Sequence, residues 1–125
     1  MIEDEAKPVL AKMALADIIV MATPLYFFSA SAQLKLVLDR MFSLYKWDNK
    51  AKTMNTVLKG KTLVLIASAY EDAGLEALEK PFILIAEYSG MHYKSLLIAN
   101  AGVSGDIKDN QAFRFRAVAL GKELA

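Results

Sequence analysis

Two apolar runs without polar alternation constrain this chain more than any other feature of its sequence. The first is Ile18-Ile19-Val20-Met21-Ala22, and the second is Thr62-Leu63-Val64-Leu65-Ile66-Ala67. Short runs that lack a period of two are typical of strands buried on both faces, as in a parallel sheet covered by helices. A third strand is predicted over residues 94–99. We therefore expect an α/β protein.

Amphipathic helical segments lie before and after the first strand. One is predicted over residues 5–16, where Asp4 can cap the helix. The next begins near Ser29 or Ser31, either of which can accept a hydrogen bond from the first free N–H groups. The residues expected on the core faces are Val9, Leu10, Met13 and Ala16 in the first helix and Leu34, Val37, Leu38, Met41 and Tyr45 in the second.

Two further helices complete the pattern. One starts at Leu75 and ends at Gly90, a residue suited to a left-handed cap, and Pro81 allows either one helix or two. The last follows Asp109 or Asn110. The order α-β-α-β-α-β-α predicts a single domain over residues 1–125 with a doubly wound parallel sheet. The core face of the last helix is expected to comprise Phe113, Ala117, Leu120 and Leu124.

The polar segment over residues 46–55 has no apolar period, so we predict an irregular loop there. Trp47 within it either closes over a bound ring or packs at a helix end, and packing is the more common role. His92, the only histidine, is expected between a helix and a strand in a surface or packing role.

Composition excludes several classes of function. The 125 residues carry 15 basic and 14 acidic side chains without a basic block, so no nucleic-acid or membrane-surface partner is predicted. The chain has no cysteine, which excludes disulfides, thiolate metal sites and an iron–sulfur cluster held by this chain alone. Its acidic start lacks an apolar secretory core, and no apolar run is long enough to span a bilayer. We expect a cytoplasmic protein without a metal site.

An aromatic loop follows the first strand. Pro24 ends that strand because proline cannot donate to a sheet ladder, and Leu25-Tyr26-Phe27-Phe28 comes directly after it. Open α/β sheets bind ligands at the carboxyl ends of their strands, so this loop suits a planar ligand. Taken alone, such a run is more often core or interface packing. Residues 68–74 and 100–106 form comparable loops after the next two strands.

The stretch from Asp17 to Arg40 resembles the central segment of a known family. It reads DIIVMATPLYFFSASAQLKLVLDR, with fixed polar residues at fixed distances around the Pro-x-Tyr turn. The pattern resembles the flavodoxin-like NAD(P)H-dependent FMN reductases and iron–sulfur flavoproteins. The resemblance implies a flavodoxin-like sheet of order 2-1-3-4-5, in which the strands of this chain are the third, fourth and fifth.

The resemblance further implies a truncated flavodoxin-like fold. Members of the family begin with a strand and a phosphate-binding loop, whereas no Gly- or Ser-rich turn precedes residue 17 here. FMN binding by this chain is therefore expected to be weak or absent, because the phosphate lacks its usual backbone cradle. The residues that the resemblance places around the isoalloxazine ring are Thr23, Pro24, Leu25, Tyr26, Phe27 and Ser29 on one side and Ser68, Ala69, Tyr70 and Glu71 on the other.

The activity implied by the resemblance is hydride transfer from NAD(P)H to FMN, followed by reduction of an acceptor. The flavin carries this chemistry, so no catalytic side chain is predicted. The alternative is a non-catalytic, oligomerising remnant or a protein-binding module of the same fold. A bare apolar edge on the strand from Ile18 to Ala22 predicts a dimer or higher homo-oligomer, formed through that edge or through the helix from Leu34 to Tyr45.

Overall fold

The computed structural model describes residues 5–125, so the predicted Asp4 cap lies outside the described residues. Within this range no helix is long and apolar enough to cross a membrane. Short 3-10 helices occupy Met41–Leu44 and Asp106–Asp109. The α-helices and strands are α1 (Ala6–Leu15), β1 (Ile18–Pro24), α2 (Ala32–Arg40), β2 (Tyr45–Asp48), β3 (Thr53–Thr56), β4 (Thr62–Ser68), α3 (Leu75–Ser89), β5 (His92–Ile98) and α4 (Gln111–Leu124).

Three of the strands form a parallel sheet in the order β1-β4-β5. Val20 of β1 pairs with Val64 of β4, which pairs in turn with Lys94 of β5. The three predicted strands and the order implied for them are thereby confirmed. Because the order follows the chain, β1 is an edge strand whose only partner in the described sheet is β4.

One face of the sheet carries the core. Helices α1, α2 and α3 pack on this face, and their buried side chains meet those of alternate strand residues. The alternation follows from strand geometry, since successive side chains point to opposite faces. The principal core residues are Leu10 and Met13 from α1, Leu38 from α2, Leu78, Phe82 and Ala86 from α3, and Ile19, Met21, Leu63 and Leu65 from the strands.

The other face is covered only in part. Helix α4 packs against β5 there, while Ile18 and Val20 of β1 remain 38% and 53% exposed. The prediction that both apolar runs are covered on both faces is wrong for β1, because no described helix covers this side of it. It holds for the central strand β4, where Leu63, Val64 and Leu65 are fully buried.

Two predicted core positions on the outer helices are also wrong. Val9 of α1 is 42% exposed, and Ala117 of α4 is exposed. Helix α1 buries Ala6, Leu10 and Met13, so Val9 lies on the side of the helix that faces solvent. Helix α4 has no fully buried residue. The other predicted core residues of the first two helices are buried or pack partly buried against the core. The second helix does not extend to Tyr45 as predicted, because α2 ends at Arg40 and Tyr45 is the first residue of β2.

The prediction of an irregular loop over residues 46–55 is wrong, because this segment forms most of a β-hairpin. Strands β2 and β3 pair antiparallel, with Trp47 opposite Met54, and both side chains are exposed. Oδ1 of Asp48 accepts hydrogen bonds from the N–H groups of Lys50 and Ala51 at 2.8 and 3.0 Å. This side-chain turn sets the register of the hairpin.

The helix ends largely follow the predicted signals. Ser31, rather than Ser29, caps α2 by accepting from the N–H of Leu34, and Asn110 caps α4 by accepting from the N–H of Phe113. Gly90 adopts the left-handed conformation that ends α3. This helix runs unbroken through Pro81, which lies on its exposed side. His92 is the exposed first residue of β5.

Candidate functional site

Three loops meet at the carboxyl ends of β1, β4 and β5. The N–H of Leu25 donates to the carbonyl of Ser68 at 2.7 Å, and the N–H of Ala69 donates to the carbonyl of Ile98 at 2.9 Å. The N–H of Ala101 then donates to the carbonyl of Ala69 at 2.8 Å. These bonds continue the sheet ladder beyond the strands, so the first residues of the three loops are held in fixed relation to one another.

A cleft of about 460 Å³ lies at this edge of the sheet. Its floor comprises strand residues on the partly covered face, and its wall is the loop that follows β5. Among the described residues that line it there is no lysine or arginine. The lining residues are Ala22, Thr23, Pro24, Ile66, Ser68, Ile98, Ala101, Gly102, Val103, Ser104, Gly105 and Ile107.

The aromatic loop between β1 and α2 contains a tight turn. The backbones of Tyr26 and Ser29 exchange two hydrogen bonds of 3.0 Å, which leaves Phe27 and Phe28 at the tip. Both phenylalanines have positive φ angles, 47° and 65°. Phe27 is 96% exposed, and its ring centroid lies 5.8 Å from that of Phe28. The loop therefore presents an aromatic ring to solvent at the edge of the sheet where the strands have their carboxyl ends.

Gly74, in the loop between β4 and α3, packs against this turn. It precedes α3 with φ +89°, a conformation that favours glycine. Its backbone lies against two side chains of the aromatic loop, the ring of Phe28 and the side chain of Leu25. Within the same loop Ala69 is buried, whereas Tyr70 and Glu71 are exposed.

The ten predicted site residues thus divide into groups by location. Thr23, Pro24 and Ser68 line the cleft. Tyr26, Phe27 and Ser29 belong to the exposed turn, and Tyr70 and Glu71 lie on the exposed part of the second loop. Leu25 and Ala69 pack against the core instead. Which of these side chains contact a flavin remains a prediction.

No site residue was predicted in the loop that follows β5, although five residues of this loop line the cleft. Asn100, Gly102 and Gly105 all have positive φ angles, and Oδ2 of Asp106 accepts a hydrogen bond from the N–H of Val103 at 3.1 Å. The two glycines in N-A-G-V-S-G-D were the available signal, because glycine is the usual residue where a loop needs a positive φ angle or brings its backbone close to a ligand.

A second concavity, the α2–α3 groove, lies away from this edge. It has a volume of about 670 Å³ and is bounded by the end of α2, the 3-10 helix after it and the second half of α3. The rings of Phe42 and Tyr45 stack at 5.5 Å, and Tyr45 lies 5.5 Å from Tyr88. The groove is lined by Leu38, Met41, Phe42, Tyr45, Leu84, Ile85, Glu87 and Tyr88.

Comparison with known proteins identifies the family. Residues 2–104 match the NADPH-dependent FMN reductases, which is most of the chain. The chain belongs to this family. Among its relatives is YwqN of Bacillus subtilis strain 168, a protein assigned by name to the NAD(P)H-dependent FMN-containing oxidoreductases. The two sequences are 25% identical over 114 residues, which represent 89% of this chain and 62% of YwqN.

Solved structures show that this FMN reductase family member has a flavodoxin-like fold. An FMN-dependent NADH-azoreductase from Bacillus anthracis, solved in complex with FMN, aligns with a TM-score of 0.75 at 15% identity and covers 96% of this chain. A flavodoxin, WrbA-like protein from Agrobacterium tumefaciens aligns with a TM-score of 0.61 at 18% identity and covers 98%. The alignments span 61% and 78% of those chains. The chain thus spans less than two thirds of YwqN and of the azoreductase.

Proposed function

We propose that this chain is an NAD(P)H-dependent FMN reductase-type oxidoreductase. The observation that carries the proposal is a cleft at the carboxyl ends of β1, β4 and β5, where backbone hydrogen bonds join the loops that follow these strands. This is the edge where this class of sheet binds ligands. Membership of the FMN reductase family supports it. So do the name of YwqN and the FMN bound to the azoreductase. A cytoplasmic location is part of the proposal, since nicotinamide nucleotides are found there.

The ring end of FMN fits the described residues better than the phosphate end does. Ala22, Ile66 and Ile98 supply apolar floor to the cleft, and Ser68 and Ser104 supply hydroxyl groups. The phosphate would find no basic side chain among the lining residues, and a phosphate site usually relies on cations or on a helix amino terminus. We therefore propose that the chain recognises the isoalloxazine ring and contributes little to phosphate binding.

FMN, when bound, supplies hydride acceptance and onward electron transfer. The part of the protein is to bind and orient the ring. Of the ten predicted residues, Thr23, Pro24 and Ser68 line the cleft and would contact the ring edge. Because the loop ends are tied by backbone hydrogen bonds, this arrangement exists before the ligand binds, which lowers the entropic cost of binding.

Titration with FMN and with riboflavin, followed by flavin fluorescence, tests the proposal. Since riboflavin lacks only the phosphate, we expect the two dissociation constants to agree within about threefold, a difference below 1 kcal/mol. An FMN affinity more than about tenfold higher, or 1.4 kcal/mol, would contradict recognition by the ring alone. Unchanged fluorescence with both flavins into the millimolar range would overturn the proposed function. NAD(P)H oxidation by flavin-loaded protein is the assay that follows.

We also propose that a second copy of this chain pairs with the free edge of β1. This edge carries Ile18, Val20 and Ala22 on its partly covered face and contains no charged residue. Edge strands of folded proteins are usually protected by charges, prolines or bulges because their unpaired N–H and C=O groups attract another strand. Antiparallel pairing about a two-fold axis near Val20 would extend the sheet and cover Ile18 and Val20 in both copies.

The solution mass of matched variants tests this self-association. We expect the wild type to dimerise, Val20→Lys to be monomeric, and Tyr88→Lys, which places the same charge in the α2–α3 groove, to remain dimeric. A monomeric wild type would refute self-association. Dissociation by Tyr88→Lys alone would show that the groove, not the edge, is the interface. A dimer that binds no flavin would favour the second candidate function, a non-catalytic oligomerising or binding module.

A further inference from the structure

The turn at Phe27 and Phe28 has backbone angles that phenylalanine rarely adopts. Positive φ angles at both central positions, 47° and 65°, are those of the two-residue hairpin turn that strongly favours Asn-Gly. A side chain with a Cβ is disfavoured in this region, and two adjacent phenylalanines are therefore strained. Such a turn persists only where neighbouring contacts hold it in place.

The contact that holds this turn is the packing of the Phe28 ring against the backbone of Gly74. A Cβ atom built on Gly74 would lie 2.5 Å from Cδ1 of Phe28, 3.1 Å from its Cε1 and 3.6 Å from Cδ2 of Leu25. The ring thus occupies the space that any other residue at position 74 would need. Phe28 extends from one loop and Gly74 belongs to the next, so the contact joins the two loops at their outer ends.

We propose that Phe28 and Gly74 are positioning residues that make the β1–α2 and β4–α3 loops one unit facing the flavin. The inner ends of these loops are already joined by the bond from the N–H of Leu25 to the carbonyl of Ser68. With both ends joined, the strained turn cannot relax, and the ring of Phe27 is held outward in solvent. This inference rests on the proposed flavin-binding function, because its effect on the site is preorganisation of the ring-binding residues.

Gly74→Ala is the variant that tests the contact, and Gly60→Ala is its matched control. Gly60 has a similar φ of +81°, but a Cβ there would meet nothing within 4 Å. Both substitutions therefore strain the backbone, whereas only Gly74→Ala displaces Phe28. Limited chymotrypsin digestion of the folded protein measures cleavage after Tyr26 or Phe27. We expect about tenfold faster cleavage in Gly74→Ala and less than about twofold in Gly60→Ala, because cleavage follows local opening of the turn.

A double-mutant cycle with Phe28→Ala links the contact to the site. We expect each single substitution to weaken riboflavin binding about tenfold, and Gly74→Ala to add less than about threefold in the Phe28→Ala background, since both remove one interaction. Phe28→Ala leaves the backbone of Gly74 intact, so it tests the contact even if Gly74→Ala does not fold. Thermal unfolding of each variant separates local opening from global destabilisation.

The outcomes are distinguishable from failure of the proposed function. Wild-type cleavage rates in both Gly74→Ala and Phe28→Ala would overturn the inference, as would fully multiplicative losses of riboflavin affinity. If the wild type binds no flavin while Gly74→Ala and Phe28→Ala still accelerate cleavage and Gly60→Ala does not, the contact stands and the proposed function falls.

Discussion

The backbone N–H of Ser31 donates a hydrogen bond to Oγ1 of Thr23 at 3.0 Å, across the whole aromatic loop. The same hydroxyl donates to the carbonyl of Pro24 at 2.9 Å, and the Thr23 side chain is buried. Ser31 in turn caps α2. One hydroxyl group therefore fixes the end of β1 to the start of α2, and the loop between them can carry strain without loosening the helix.

Thr23→Val is expected to destabilise the domain by about 1–3 kcal/mol, because a valine of similar size leaves the N–H of Ser31 without its acceptor in a partly buried place. Urea unfolding followed by circular dichroism measures this loss. Thr23→Ser keeps the hydroxyl and should recover most of it. Thr53→Val, at an exposed position of β3, is the control and should change stability by less than about 0.5 kcal/mol. Equal stability of Thr23→Val and the wild type would show that this bond contributes nothing.

Phe82 is the largest side chain of the core that is almost completely buried, at 1% exposure. Phe82→Ala should cost about 3–5 kcal/mol, because the surrounding side chains cannot fill the cavity. Phe115→Ala, which truncates a 77% exposed ring on α4, should cost less than about 0.5 kcal/mol. Chemical denaturation of the pair gives the comparison. Similar losses in both variants would mean that the ring of Phe115 is buried in solution.

The sheet and its helices could be predicted from sequence because their signals are local. β4 reads as an unbroken apolar run and is buried on both faces, so pattern and environment agree. β1 reads in the same way, yet its Val20 faces solvent. The apolar pattern of a strand indicates that burial would be favourable, but it does not show whether another element covers the strand. What covers the strand depends on the surrounding elements, which no local pattern specifies.

The β2–β3 hairpin could not be predicted because its strands are short and contain no fully buried residue. Tyr45 and Trp47 alternate with polar residues, which is consistent with a strand, but four residues are too few for periodicity to decide. The turn at Asp48 was the better signal. The cleft shows a similar limit, since Thr23 and Gly102 are far apart in sequence and meet only through the strand order.

Acid should destabilise the β2–β3 hairpin. Hydrogen bonds from the N–H of Ala51, and then of Lys50, lower the pKa of Asp48. A carboxylate with a lowered pKa stabilises the fold above its ordinary value of about 3.9 and loses that effect as the pH falls through the lowered pKa. Fluorescence of Trp47, the only tryptophan, should therefore change below about pH 4. Asp48→Asn keeps an acceptor without a titrating group and should lack this transition; an identical transition in that variant would contradict the assignment.

Base should weaken the contact between β5 and α3 through Tyr93. Its hydroxyl donates to Oε1 of Glu79 at 3.0 Å. Burial raises the pKa of Tyr93, and the charge and hydrogen bond of Glu79 raise that pKa further. A phenol with a raised pKa in the folded state gives its full stabilisation below its unfolded pKa of about 10 and loses it as the pH rises above that value.

Unfolding free energies measured between about pH 8 and 11 should therefore fall more steeply in the wild type than in Tyr93→Phe above pH 10. Tyr88→Phe, which removes a hydroxyl from a 64% exposed ring, should follow the wild-type curve. Glu79→Gln keeps a hydrogen-bond acceptor but removes the charge, so its slope should lie between those of the wild type and Tyr93→Phe. If Tyr93→Phe and the wild type decline in parallel, the loss of stability in base comes from other groups, and the Tyr93–Glu79 bond does not couple β5 to α3 in the way its geometry indicates.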